Sequence, residues 1–127
     1  IPEDQFGNGG GYVFDCRGIL NPGRLEEYKT LTGRDKPVQE FLMHKTNMLS
    51  FLQHVFGMID ISVEDYIKRN FEGLTISFGC TGGQHRSVYL TNCLFEYFNK
   101  KNHDDSQKSI YLLKRHRELD PAAVKTS

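Results

Sequence analysis

Chemically, the most informative segment of the chain is 79–87, which reads Gly-Cys-Thr-Gly-Gly-Gln-His-Arg-Ser and is called the glycine loop below. An apolar run precedes it and a helical pattern, 88–98, follows it, so the predicted order is strand, loop, helix. In such a loop the backbone N–H groups lack acceptors within the chain, and the helix dipole adds partial positive charge. Gly82 and Gly83 let the backbone approach a ligand, while Arg86 adds a forked cation suited to phosphate. We therefore predict a phosphate-binding site.

Two other interpretations of the glycine loop stay open. Five residues separate Cys80 from Arg86, and Ser87 follows, which is the spacing of cysteine-dependent phosphatases. In that reaction Cys80 would attack phosphorus, Arg86 would hold the oxygens and Asp15 would be the general acid. Gly79, however, occupies the position where those phosphatases generally carry His. The third interpretation is structural: Cys80 is a small buried residue and the glycines only make the turn.

Composition limits the class of protein. A chain of 127 residues with 38% apolar and 25% charged residues is typical of one globular domain. No apolar run approaches the roughly 20 residues that span a bilayer, and no signal-peptide pattern opens the chain, so we expect no membrane partner. Three cysteines, without zinc spacing and odd in number, favour a reducing cytoplasm. We predict no metal site and no cofactor.

Charge gives little sign of a nucleic-acid surface. Sixteen basic and sixteen acidic residues cancel, so the domain as a whole makes no strong field. Between residues 100 and 117 six Lys or Arg outnumber two Asp. A weak RNA-binding patch is considered there, on Lys114, Arg115, His116 and Arg117. A solvated face is the simpler interpretation of this segment, including His116.

Periodicity predicts alternating strands and helices, in a domain over 12–118 between a flexible lead-in, 1–11, and a tail, 119–127. The predicted elements are a buried strand 12–16, a long loop 18–36, a helix 37–56 with Asp35 as cap and an interruption near His44 or Asn47, a helix opened by Ser62 and Asp65 and closed by Gly73, a strand 74–79, a helix 87–101 and a strand within 109–115. Helical crossovers between strands imply an α/β fold with a small, mainly parallel sheet and flanking helices.

The ends of the two main strands are predicted to converge. Asp15 and Arg17 leave the first strand at its carboxyl end, where Cys80 leaves the second, and ligands of parallel sheets bind at that edge. An acidic group there suits a hydroxyl or an ammonium on the same ligand. The alternative for Asp15 is an ion pair with Arg17.

Several segments together resemble the C-terminal domain of the RapZ proteins, which are bacterial RNase adaptors. These segments are Phe14-Asp15-Cys16-Arg17 with Asn21-Pro22, Leu31-Thr32-Gly33 with Asp35, Pro37-Val38, Phe41-Leu42, and the glycine loop with Val88-Tyr89. The resemblance covers roughly 12–117. It implies an α/β domain that senses glucosamine-6-phosphate and helps to bind small RNAs that control amino-sugar synthesis.

Carried over by position, the resemblance implies a pocket that uses Asp15, Thr81, Gly82, His85 and Arg86. With the residues inferred from the loop itself, the candidate ligand-binding set is Asp15, Arg17, Cys80, Thr81, Gly82, Gly83, Gln84, His85, Arg86 and Ser87. His85 can donate to phosphate when it is protonated.

The chain also departs from the family pattern. Gly23 follows Asn21-Pro22 where family members often carry His, and the strongly basic family tail is thin. The family's N-terminal nucleotide-binding domain is not in this chain, which does not begin with Met. We therefore expect a piece of a longer protein in which this domain is fused to another. The sequence leaves open whether that protein forms a homo-oligomer.

Overall fold

The computed structural model describes residues 11–69, 73–80 and 84–104, together with Lys114 and His116. Its elements, in chain order, are β1 (Gly11–Asp15), two short 3-10 turns (Pro22–Arg24 and Glu26–Tyr28), α1 (Lys36–Lys45), α2 (Met48–Lys68), β2 (Thr75–Gly79) and α3 (Arg86–Asp104). This is a small α/β unit, so the predicted fold class is confirmed. The 3-10 turns lie within the segment predicted as a long loop.

The two described strands form a parallel pair, as predicted. The register runs from Gly11 opposite Thr75 to Asp15 opposite Gly79. Helices α1 and α2 supply the crossover between the strands, and the carboxyl ends of both strands therefore reach the same edge of the sheet. The further strand predicted within 109–115 concerns residues that, except for Lys114, lie outside the described ranges.

Only one face of β1 packs against the helices. Tyr12 and Phe14 alternate inward, where Phe14 stacks on Phe78 with 5.5 Å between ring centroids. Val13, on the other face, is 84% exposed within the described part of the chain. The prediction of a buried strand is therefore wrong for that face. A strand with side chains on alternate faces can bury one row while the other stays open.

The predicted interruption of the first long helix is confirmed close to its expected place. Helix α1 ends at Lys45 and α2 begins at Met48. The hydroxyl of Thr46 donates to the Leu42 carbonyl at 2.6 Å and accepts from the Met48 N–H at 3.1 Å. One side chain thus binds a carbonyl at the end of α1 and an N–H at the start of α2.

The separate helix predicted to begin at Ser62 is wrong, because α2 continues without a break to Lys68. The apolar residues Leu52, Val55 and Ile59 recur at spacings of three and four and are buried, so packing holds this segment helical. The Ser62 hydroxyl bonds the Tyr12 hydroxyl at 2.5 Å, which ties α2 to β1.

Asp35 stands at the N-cap position of α1 without making a side-chain capping bond. Its carboxylate instead accepts from the Thr32 N–H at 2.8 Å, so the predicted capping role of its side chain is wrong. The bond closes the turn 32–35. Within this turn, Gly33 packs against the start of α3.

Candidate functional site

The described parts of the glycine loop keep the predicted order of strand, loop and helix. Strand β2 ends at Gly79, and α3 begins at Arg86. Thr81, Gly82 and Gly83 lie outside the described residues, so their predicted ligand contacts stay predictions. The site is therefore built from the residues on either side of those three.

Cys80 lies against the first turn of α3. The Ser87 N–H donates to the Cys80 sulfur at 3.4 Å, and the thiol contacts the Ser87 hydroxyl at 3.4 Å. A first-turn N–H has no partner within its helix, so the sulfur supplies an acceptor that the helix lacks. The cysteine and the serine of the phosphatase-like spacing are thus in direct contact.

Arg86 is buried at the first residue of α3 and is only 3% exposed. Its Nη1 donates to the carbonyls of Cys16, Arg17 and Ile19 at 3.4, 3.3 and 2.8 Å. These bonds tie α3 to the segment that follows β1. The Nε atom is buried and has no hydrogen-bond partner within the described part of the structure. One nitrogen of the guanidinium therefore holds the segment after β1, while the Nε–H is a donor without a described acceptor.

His85 packs into the segment between β1 and α1. Its Nε2 donates to the Tyr28 carbonyl at 3.0 Å, since a carbonyl can only accept. A Cβ at Gly23 would lie 3.1 Å from Cε1 and 3.2 Å from Nδ1 of this ring. Glycine at that position therefore leaves the space that the imidazole edge occupies, which gives a physical role to the departure from the family pattern.

Gly33, which belongs to a family-like segment but was not predicted as a site residue, positions the start of α3. Its N–H donates to the Gln84 carbonyl at 2.8 Å. A Cβ at this position would lie 2.4 Å from the His85 carbonyl oxygen and 2.7 Å from the Tyr89 nitrogen. Only a residue without a side chain fits against the start of α3 so closely. A glycine inside an unusually long loop was the available signal.

Asp15 and Arg17 form the ion pair that was the alternative for Asp15. Arg17 Nε lies 2.9 Å from Oδ1, Nη2 lies 2.7 Å from Oδ2, and the Arg17 N–H donates to Oδ1 at 3.0 Å. These hydrogen bonds from Arg17 lower the pKa of Asp15 to about 2. The side chains stay 58% and 70% exposed, so the carboxylate is ionised and accessible.

The predicted convergence of the strand ends is confirmed on one side of the glycine loop. An open depression with a volume of about 440 Å³ is lined by Val13, Phe14, Asp15, Arg17, Gly79 and Cys80. It therefore brings the carboxylate of Asp15 and the guanidinium of Arg17 beside an apolar wall, next to Cys80. His85 and Arg86 are not among its lining residues, and their described bonds run to the segment after β1.

The predicted RNA-binding residues are only partly described. His116 is 5% exposed, and its Nε2 donates to Asn92 Oδ1 at 2.9 Å, so the expectation of a solvated His116 is wrong. Lys114 donates to the same Oδ1 at 2.9 Å and lies over the ring of Phe95. Arg115 and Arg117 lie outside the described residues. The described part of this segment is thus anchored on α3.

The described residues lack two other kinds of feature. No group of three or more His, Cys, Asp or Glu residues could hold a metal ion there. No helix in the same residues is both long and apolar enough to cross a membrane.

Comparison with known proteins identifies the family. A model of the RapZ C-terminal domain matches residues 2–120. The chain belongs to the RapZ C-terminal domain family. The resemblance inferred from the glycine loop and the Asp15 segment is therefore confirmed, and the match extends beyond both segments.

Similar full-length proteins place the family domain in larger chains. A nucleotide-binding protein of Polynucleobacter necessarius is 43% identical over 115 residues, which are 91% of this chain and 38% of that protein. Nucleotide-binding proteins of Herminiimonas arsenicoxydans and Clostridium beijerinckii are 41% and 38% identical over 85% and 72% of this chain, and over 35% and 31% of their own lengths. The chain spans about a third of the length of the curated relatives it matches.

Proposed function

We propose that this domain binds an amino-sugar phosphate, of which glucosamine-6-phosphate is the type, at the glycine loop, and that it is the sensing domain of a RapZ-like regulatory protein. The single observation that carries the proposal is the environment of Arg86. This residue is a buried cation at the first turn of α3 with an Nε donor that has no partner among the described residues.

A phosphate at the start of α3 would satisfy that donor. A buried donor left unpaired costs about 1–3 kcal/mol, and more when it belongs to a charged group. The helix dipole and the first-turn N–H groups favour an anion at the same end of α3. Since Nη1 is already held by three carbonyls, the guanidinium is fixed in place before the ligand arrives. A fixed donor loses little conformational entropy on binding.

The amino group of the ligand would bind at Asp15. This carboxylate is ionised at neutral pH, as an ordinary Asp is, and it lines the depression beside Cys80. A ligand ammonium must share the carboxylate with Arg17, whose guanidinium engages both carboxylate oxygens. The exposure of the pair leaves room for that exchange.

Calorimetric titration with three ligands tests both halves of the proposal. Glucosamine-6-phosphate is expected to bind best, glucose-6-phosphate less well and uncharged sugars least. Asp15→Asn should remove the preference for the amino sugar. Asp65→Asn is the matched control, since Asp65 on α2 forms an ion pair with Arg69 that is also more than half exposed. An undiminished preference in Asp15→Asn would exclude Asp15 from the site.

Arg86→Lys tests the phosphate half, because it keeps the charge and removes the Nε donor. We expect binding of both sugar phosphates to weaken by about 1.5–3 kcal/mol, the range for hydrogen bonds to charged groups. Arg86 also ties down the segment after β1, so thermal unfolding of the variant must show that it is folded. Unchanged affinity in the folded variant would contradict the proposal.

Cysteine-dependent phosphatase activity is the second candidate, and the contact between Cys80 and Ser87 favours it. The spacing places the serine of the phosphatase-like motif directly at the sulfur that would attack phosphorus. Against it, Gly79 replaces the usual His and Arg86 Nη1 binds backbone carbonyls. Assay with a generic aryl phosphate decides between the two candidates.

The remaining proposals concern the whole protein. The domain, 12–118, would be fused to a nucleotide-binding domain in a cytoplasmic protein, as the similarity to longer nucleotide-binding proteins supports. Small-RNA contact would come from Lys114 and its neighbours, multiplied by a homo-oligomer through avidity. Salt dependence of RNA binding by the oligomer tests this, because contacts to backbone phosphates weaken steeply with salt.

A further inference from the structure

Cys16 and Cys80 occupy equivalent places at the ends of the two parallel strands. The register pairs Asp15 with Gly79, and the Cys16 N–H donates to the Gly79 carbonyl at 2.7 Å, which is the last bond of the ladder. The next residue on each strand is therefore a cysteine. This bond fixes the position of Cys16, while Cys80 lies one residue beyond the last pair of the register.

Both cysteine side chains belong to the same apolar cluster. Side chains alternate along a strand, so Cys16 continues the inward row of Phe14, and Cys80 continues that of Phe78. Cys16 is fully buried in the core cluster that also contacts Cys80 and Phe78. The two thiols thus face the same interior rather than opposite sides of the sheet.

We propose that Cys16 and Cys80 are an oxidisable dithiol that closes to a disulfide at the edge of the glycine loop. Neighbouring strands lie about 4.7–4.9 Å apart. Disulfide-linked Cα atoms lie about 4.4–6.8 Å apart, so the ordinary spacing of paired strands falls within the range that a disulfide requires. Cys80 follows the last residue of β2, where the chain is no longer held by the ladder and can adjust.

The two thiols differ in access, which sets the order of the steps. Cys80 is partly exposed and lines the open depression, so an oxidant reaches it first. Cys16 is 0% exposed, and its burial raises the pKa of its thiol to about 12. Because it is fully buried, no external oxidant reaches it, and it acts as the resolving cysteine that reacts with the oxidised Cys80.

With oxidised glutathione as the oxidant, the exchange balances in two steps. The Cys80 sulfur attacks one sulfur of the glutathione disulfide, and the first glutathione leaves as a thiol with the proton lost from Cys80. The Cys16 sulfur then attacks the Cys80 sulfur of the mixed disulfide, and the second glutathione leaves with the proton from Cys16. Two electrons have passed from the protein to glutathione, and reduced glutathione reverses both steps.

Closure would change the start of α3. The Cys80 sulfur now accepts from the Ser87 N–H at 3.4 Å, and a bond to Cys16 would draw it away from that donor. Any effect on ligand affinity rests on the proposed function, because it needs the glycine loop to be the binding site. Formation of the bond itself does not depend on what the domain binds.

The test uses the full chain in glutathione buffers of graded redox ratio, followed by alkylation and peptide mass spectrometry. We expect a Cys16–Cys80 cross-link that reduced glutathione reverses, with Cys93 still alkylated. Cys93 is the internal control because it lies on α3, in contact with Tyr89, and not at the end of a strand. Cys93→Ser should form the same cross-link, while Cys16→Val should stop at one glutathione on Cys80. A wild-type protein that also stops at that adduct, or that pairs Cys80 with Cys93, would overturn the proposal.

A second measurement does not depend on any variant. In wild-type protein the Ser87 amide resonance should move between fully reduced and fully oxidised samples, because its acceptor is removed. A cross-linked sample with an unchanged Ser87 resonance would refute the predicted change at α3.

Discussion

Replacing Gly33 by alanine should destabilise the fold through the start of α3. The added methyl group would lie 2.4 Å from the His85 carbonyl oxygen and 2.7 Å from the Tyr89 nitrogen, which are both backbone atoms. Forcing extra volume into a packed site costs about 1–3 kcal/mol. Displacing the loop also weakens the bond from the Gly33 N–H to the Gln84 carbonyl, which contributes about 0.5–1.5 kcal/mol. The free energy of unfolding should therefore fall by about 1.5–4.5 kcal/mol.

Gly57→Ala is the matched control for this change. Gly57 lies inside α2, is exposed, and would place a Cβ with no atom within 4 Å. Alanine in an open helical position should raise the free energy of unfolding by about 0.5–1 kcal/mol. Urea unfolding followed by circular dichroism measures both variants against wild type. A Gly33→Ala protein as stable as wild type would show that the loop does not pack against α3 at the stated distances.

Three further outcomes are expected. The Asp15 carboxyl should titrate near pH 2, and Arg17→Ala should return its pKa toward the ordinary 3.8 in an NMR pH titration. Because the pKa of Asp15 is lower in the folded protein than in the unfolded chain, the ion pair stabilises the fold above pH 3.8. That contribution is lost as the pH falls toward 2. Generic aryl phosphates should not be hydrolysed, and turnover that Cys80→Ser abolishes would instead establish a phosphatase. The isolated domain should bind structured RNA weakly and with a shallow salt slope in gel-shift titrations, whereas tight, salt-insensitive binding would contradict the small role given to Lys114.

Local patterns predicted the elements around the glycine loop well. The apolar run before Gly79 and the helical pattern after Ser87 are short-range signals, and both elements were found within a few residues of their predicted bounds. The parallel pairing followed from the helical crossover alone. At Ser62 a local capping signal was misleading, because the buried apolar stripe of α2 outweighed it.

Contacts between distant parts of the chain could not be predicted in this way. The carbonyls that bind Arg86 come from a segment about 70 residues earlier, so its partly structural role depends on where that segment returns. The close approach of Gly33 to the start of α3 is of the same kind. For Asp15 the sequence offered two partners, a ligand or Arg17, and only the geometry showed the ion pair.

An NMR titration of the labelled chain with glucosamine-6-phosphate tests the central claim most directly. Binding at the glycine loop predicts saturable shifts of the Cys80 and Ser87 amides, with the Arg17 amide responding because its partner Asp15 is engaged. Glucosamine alone should leave these resonances nearly unmoved. If glucosamine-6-phosphate at saturation shifts none of the three, or shifts only residues of α2 away from this edge of the sheet, the glycine loop is not the ligand site.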